Sequence, residues 1–283
     1  MSGLLGVPEG APGAGRARYG QAMQLYFQGI LTAAQLEAYR TAAACDATPP
    51  ALELVARGLA IPADPRPTPE AAILSLVDEA DRYLTTLPGP GVAEVRAGIA
   101  AARGGAVTPA EPAPNAVVDA HLPQALGLLA ATHPALAQSI ACAAPYLRWI
   151  TYDGYVPGTI GESFAMGHAY ASICGGDAAV SARDFDLGLF VIAPHVFYRD
   201  HHHPAPELYA PLTGPHGWRF GPDRPLVLKP AHQPVWNPPL NPHATKVGAV
   251  PFLCLFGWTA DVEAPARVIP ATDWPELEAL RLG

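Results

Sequence analysis

The chain changes character near residue 148, and that change restricts its fold more than any other feature. Before it, apolar residues recur at helical spacing behind strong start signals. After it they fall in short or alternating runs cut by Gly and Pro, such as FDLGLFVIAPHVFY, ELYAPLTG, RPLVLKP, QPVWNPP and VPFLCLFGWTA. Runs of that length at roughly 8–12-residue spacing read as strands of a sandwich or barrel. The expected class is α+β, with a helical N-terminal region over 1–147 and a β-barrel region over 148–283.

The first expected helices lie within 16–46. Tyr19, Met23, Leu25, Tyr26 and Ile30 make an apolar stripe, and Thr32 is placed to cap the segment AAQLEAYRTAAA. Thr68, with Pro69 in the first helical position, opens another helix running to Leu87. Further helices are expected over 92–103 and 117–147, the latter broken at His133-Pro134. GGAVTPAEPAPNA (104–116) has the composition of a connection, and DWPELEALRLG reads as a short terminal helix. Apolar stripes need cover, so the helices are expected to pack on the barrel.

Composition narrows the function. The 283 residues carry a formal charge of −8 with no basic run, which leaves no footprint for nucleic acid. No 18-residue apolar stretch is free of charges or breakers, so no membrane span is expected. The opening MSGLLGVPEGAPGAGRARYG lacks the charged front and apolar run of a signal peptide. A soluble, cytoplasmic protein acting on a small molecule is the expectation, and a homodimer is compatible with it. Cys45, Cys142, Cys174 and Cys254 form no C-x-x-C pair and read as buried free thiols.

The chemistry concentrates in FYRDHHHPAPELYAPLTGPHGW, residues 197–218. On a strand, His201 and His203 share one face and His202 takes the other. Glu207 and Tyr209 repeat that spacing beyond a Pro204-Ala-Pro206 bend. Two imidazoles and a carboxylate converging from strand ends suit an open divalent-metal site. His243, between a proline-rich turn and the apolar run PFLCLFGW, is the candidate fourth ligand; His232, in KPAHQP, looks like a turn residue. His121, His133, His168, His195 and His216 read as surface or core-edge residues.

These residues resemble the cupin superfamily, whose first motif carries H-x-H, then Glu, then Gly at the spacing of His201, His203, Glu207 and Gly214. In the second motif Pro238 and His243 fit. His195, Leu240 and Val247 stand where Gly, Gly and Asn are usual. The extended pattern His201, His203, Glu207, Tyr209, Gly214, Trp218 is similar to that of the cupin dimethylsulfoniopropionate lyases and their lyase-like relatives. So is the later set His243, Pro251, Leu253, Trp258. The resemblance spans roughly 145–262 and implies a cupin, or double-stranded β-helix, barrel. It also implies one divalent metal ion (Zn, Fe, Mn or Ni) and cleavage of dimethylsulfoniopropionate to dimethyl sulfide and acrylate by β-elimination. It makes Tyr209 the base, with Tyr198 the next candidate. Aromatic faces suit a sulfonium, and Trp149, Tyr152, Tyr155, Tyr198, Trp218 and Trp236 can supply them. The same ligand set serves cupin dioxygenases and isomerases, and cupins that bind a small molecule without chemistry.

Overall fold

Thr32 caps a helix as its sequence context predicts. Its hydroxyl accepts the Gln35 N–H at 3.2 Å, and the Gln35 side chain accepts the Thr32 N–H at 2.9 Å. The structure, a computed structural model, describes residues 10–62, 67–222 and 224–282. The first nine residues, part of the opening read as lacking a leader pattern, lie outside the described residues. One compact unit ends at Pro67 and a second begins at Thr68.

In the first unit, α1 (Ala14–Phe27), α2 (Ala33–Ala42) and α3 (Pro50–Ala56) gather around Ala22, Leu31, Ala38, Tyr39 and Leu54. The expected stripe of α1 is not its buried face. Met23, Tyr26 and Ile30 are exposed, while Ala14, Gly15, Arg18 and Ala22 turn inward. Two contacts select that face. The Arg18 guanidinium donates to the Asp46 and Thr48 carbonyls, and Gly15 lies so close to Ala43 that a Cβ would meet its carbonyl oxygen at 2.8 Å.

The second unit opens with α4 (Pro69–Leu84), whose first turn is capped by the Thr68 hydroxyl. α5 (Val92–Ala102), α6 (Ala116–Ala130) and α7 (Pro134–Ala143) follow, then a short α8 (Glu162–Met166) inside the region expected to hold strands. The strands are β1 (His168–Gly175), β2 (Val180–Ser181), β3 (Asp186–Ile192), β4 (Phe197–His202), β5 (Glu207–Pro211), β6 (His216–Arg219), β7 (Val227–Lys229), β8 (Val235–Asn237), β9 (His243–Lys246), β10 (Phe252–Trp258) and β11 (Arg267–Val268). They form a six-stranded sheet, β2-β1-β3-β10-β5-β8, and a five-stranded sheet, β11-β4-β9-β6-β7. From β3 to β6 and from β8 to β11 the chain switches sheet at every step, so the barrel is wound from both sheets at once.

The switches need unusual backbone. His195 (φ 65°) turns the chain from β3 into β4, and Leu240 (φ 61°) precedes β9. Both occupy positions where the cupin motifs place glycine. The left-handed conformation is therefore kept here with non-glycine residues, at some strain.

Side chains of the six-stranded sheet alternate between two layers. Ala169, Ala171, Leu187, Leu189, Leu253 and Leu255 join a core with α4–α7, whereas Phe190, Ile192, Phe252, Cys254, Phe256 and Tyr209 fill the barrel. The helices α4–α7 bury their stripes on this sheet, which is why they belong with the barrel and the compact units part at Pro67/Thr68 rather than near 147. Contact is tight: a Cβ on Gly257 of β10 would lie 2.6 Å from Val95 of α5. Gly257→Ala is expected to lower stability by about 1–3 kcal/mol in chemical denaturation, and an unchanged midpoint would contradict this packing.

On the five-stranded sheet, α9 (Trp274–Ala279) lies against β4. There buried Arg219 pairs with buried Asp200 and with Asp273, and the Trp274 indole donates to Asp200 at 2.9 Å. Among the cysteines, Cys174 and Cys254 are buried as expected; Cys45 is exposed and Cys142 half-buried.

His168 and His216 are buried rather than at the surface or core edge. His216 Nδ1 accepts the Gly248 N–H at 3.1 Å, so only the neutral ring fits, and burial pushes its pKa down to about 4. Between its unfolded value and about 4, the unfolded chain binds the extra proton. Stability is therefore complete above ~6.5 and falls as pH drops through that window, by about 3 kcal/mol at the low-pH end. His216→Gln is expected to flatten this acid-side loss in pH-dependent unfolding; an unchanged slope would contradict the assignment.

Candidate active site

The site sits where a bulge in β4 alters the strand's alternation. Tyr198 pairs with Thr245 and His201 with His243, so three steps on β4 match two on β9. The extra residue brings Tyr198 and His201 onto one face, where their rings stack at 3.9 Å. His243 lies directly across from His201, with ring centroids 4.1 Å apart. His203 and Glu207 flank the Pro204–Pro206 bend, and Glu207 opens β5.

One ligand atom from each of His201, His203 and His243 lies within 4.8 Å of the others, and all three residues are buried. Each ring has its Nδ1 against a backbone carbonyl: His201 on Arg199 at 2.8 Å, His203 on Ala205 at 2.8 Å, His243 on Asn241 at 2.9 Å. A carbonyl can only accept, so each Nδ1 carries a proton and each Nε2 turns toward the common point. The Glu207 Oε2 lies 3.0 Å from His203 Nε2 and 3.3 Å from His243 Nε2. Burial disfavours the Glu207 anion, but His203 and His243 outweigh it and hold the carboxyl well below its usual range. Burial, with His243 and His203 alongside, holds His201 well below its ordinary value, and so neutral.

Three imidazole Nε2 atoms and a carboxylate face one point in a dry interior, where the His243 Nε2 has no hydrogen-bond partner, and a cation among them would engage all four. Donors about 2.1 Å from one ion and at right angles to each other stand ~3.0 Å apart, which matches the Glu207–His203 spacing. The donor set therefore fits a divalent metal, and the backbone carbonyls orient the rings as outer-layer partners of metal-bound histidine do. His202 stands outside the group: it is half-buried and pairs in the sheet with Arg267.

A cavity of about 260 Å³ opens beside this cluster. Glu207, Tyr209, Tyr198, Tyr152 and Tyr155 line it, so four of the sequence-predicted tyrosines converge. Tyr155 and Tyr198 share a hydrogen bond of 2.5 Å between their hydroxyls. Burial, followed by the nearby Glu207, pushes the Tyr209 phenol well above its ordinary value.

Three tryptophans expected on the wall are elsewhere. Trp149 packs into the helix-side core, its indole donating to Ala144 at 2.9 Å. Trp236 also joins that core, over Gly91. Trp218 is completely buried behind Tyr209, 5.3 Å between rings, and supports the phenol instead of meeting a ligand. His232 lies apart, against Tyr83, Thr132 and His133.

Trp258 stands on the cavity wall where those tryptophans were expected. It lines the cavity, stacks on His203 at 4.4 Å and donates to Glu207 Oε1 at 2.8 Å. Phe164, His168, Tyr170, Asp186, Phe190 and Phe256 were also missed. The signal for Trp258 was present, because it alternates with Phe252, Cys254 and Phe256 along PFLCLFGW. Asp186, Gly188, Phe190 and Ile192 repeat that pattern on β3. His168 holds the upstream loop to the barrel: its Nε2 accepts the Tyr152 N–H at 3.0 Å.

The sequence model of the dimethylsulfoniopropionate lyase family matches residues 95–254, more than half of the chain. The chain belongs to that family. It is 26% identical over 145 residues to dimethylsulfoniopropionate lyase DddQ of Ruegeria pomeroyi, a match that covers 50% of this chain and 70% of that protein. The crystal structure of DddQ from the same organism superposes with a TM-score of 0.52 at 21% identity, covering 70% of this chain and 95% of that one. A chain from the structures of the lyases RdDddP and RnDddQII gives 0.52 at 19% identity, covering 72% and 100%. At these identities the superpositions show the fold, a helical front on a cupin-type barrel. This family member has a buried histidine triad compatible with a metal ion. Among the described residues, no helix is long and apolar enough to cross a membrane.

Proposed function

We propose that this chain is a metal-dependent lyase that cleaves dimethylsulfoniopropionate to dimethyl sulfide and acrylate. The observation that carries it is the set of three Nδ1-anchored histidines and Glu207 converging beside a tyrosine-lined cavity, in a chain of this family. His201, His203, His243 and Glu207 would hold the ion. When bound, a divalent cation supplies Lewis acidity toward a substrate carboxylate, and positive charge that opposes the upward push on the neighbouring phenol.

The protein's own groups do the rest. Tyr209 faces the cavity two residues from Glu207 and takes the proton from the carbon next to the carboxylate. The electrons of that C–H bond form the double bond of acrylate, the far C–S bond breaks, and its electron pair leaves on sulfur as dimethyl sulfide. Tyr152, Tyr170, Phe256 and Trp258 offer ring faces to the sulfonium before it leaves. Tyr155 and Tyr198, bonded to each other, exclude water from the inner wall.

The test is dimethyl sulfide release from protein loaded with Zn, Fe, Mn or Ni in turn. Activity lost with a chelator and restored by at least one of these ions is the expected result. Activity indifferent to chelation would refute metal dependence. Oxygen uptake without dimethyl sulfide would point to a dioxygenase on the same ligands.

A further inference from the structure

Asp186 is a wall residue that the chemistry above does not use. It opens β3 and lies in register with Trp258 of β10, which in turn pairs with Glu207 of β5. The three residues form a row across the sheet, with side chains on the barrel face. Adjacent strands are ~4.8 Å apart, so Asp186 stands about two strand spacings from Glu207 along the same sheet. One carboxylate oxygen accepts the Ser172 hydroxyl at 2.9 Å. The other, Oδ1, is buried and has no hydrogen-bond partner. Among the described residues no Arg, Lys or His pairs with it.

A buried carboxylate oxygen without a hydrogen-bond partner leaves the Asp186 anion poorly compensated. The residue borders both this cavity and a second one shared with Arg148, so a cation in the first would offset that charge. Burial pushes Asp186 up to about 7, and Glu207 and Glu263 add to the effect although the Ser172 bond opposes it. The surroundings call for a cation, and rings already border the place: Tyr170 and Phe256 lie edge to face at 6.2 Å on the same wall. A quaternary or sulfonium head has no N–H to donate. It is recognised by ring faces together with one anion it can approach.

We propose that Asp186 is a specificity-determining residue, the anionic pole that selects acids bearing an onium group a few bonds from the carboxylate. This deepens the lyase reading and rests on it for the substrate's name. With the carboxylate at the triad, a head group two methylenes away lies toward Asp186 across the face of Trp258. The site is then bipolar: cationic at the triad once metal-loaded, anionic at Asp186.

The experiment uses metal-loaded parent and Asp186→Asn protein with three acids: dimethylsulfoniopropionate, 3-(trimethylammonio)propanoate, and the uncharged thioether 3-(methylthio)propanoate. Binding is read by calorimetry or by inhibition. The parent is expected to bind the two onium acids at least tenfold more tightly than the thioether. In D186N that preference should vanish while thioether affinity stays within about twofold. For the sulfonium, KM should rise at least tenfold with kcat within about threefold. D186S serves as the second variant if D186N does not fold. A parent without onium preference, or folded variants that keep it, would overturn the proposal. A parent that prefers onium acids but releases no dimethyl sulfide would defeat the lyase reading and leave Asp186 supported.

Discussion

Tyr209→Phe is expected to keep the fold and the bound metal while turnover falls at least ~10²-fold, and up to ~10⁴-fold, the range for a positioned acid–base group. Only one oxygen is removed. The ring that packs on Trp218 and Phe252 stays, so the barrel core is undisturbed. Substrate binding should change little, because the carboxylate end belongs to the triad and the sulfonium end to the outer wall. The loss should therefore appear in kcat more than in KM. Tyr198→Phe is the comparison: it breaks the Tyr155 hydrogen bond and should have a smaller effect. If the ordering reverses, with Tyr209→Phe near the parent rate, the base is Tyr198.

The second large effect concerns the ligands. His203→Ala and His243→Ala should each lose most of the metal by elemental analysis and nearly all turnover. Each removes one of four donors and leaves Glu207 buried without the imidazole that offsets its charge. His202→Ala should retain the metal, since that ring stands outside the cluster. Full metal occupancy in both triad variants would remove the ligand assignment. The contrast with Tyr209→Phe is diagnostic, because only the triad variants couple metal loss to loss of turnover.

Much of this site can be read from the sequence because its spacing is local. His201, His203, Glu207 and Tyr209 lie within nine positions, and a two-residue period pairs His201 with His203 before the Pro204–Pro206 bend and Glu207 with Tyr209 after it. His243 was found from its position before an apolar strand. The helix starts at Thr32 and Thr68 were legible because capping is a short-range interaction.

What was missed depends on partners distant in sequence. The bulge that turns Tyr198 toward His201 comes from pairing with β9, forty-odd positions away. Trp149 and Trp236 face the helices, not the cavity, because the six-stranded sheet is covered on its outer side; an aromatic residue alone does not say which side of a sheet it takes. The buried face of α1 was set by Arg18 and Gly15 meeting the Cys45 turn region, against the apolar stripe. The burial of His216 is not legible locally because its partner Gly248 reaches it only when β6 and β9 pair.

The proposed reaction is β-elimination of dimethylsulfoniopropionate. Its most direct measurement is the product balance from metal-loaded protein, with dimethyl sulfide read in the headspace and the three-carbon product in solution by proton NMR. Metal-dependent β-elimination yields dimethyl sulfide and acrylate in equal amounts, both absent after chelation. Dimethyl sulfide with 3-hydroxypropanoate in place of acrylate, or no dimethyl sulfide with any of the four metals, would contradict it.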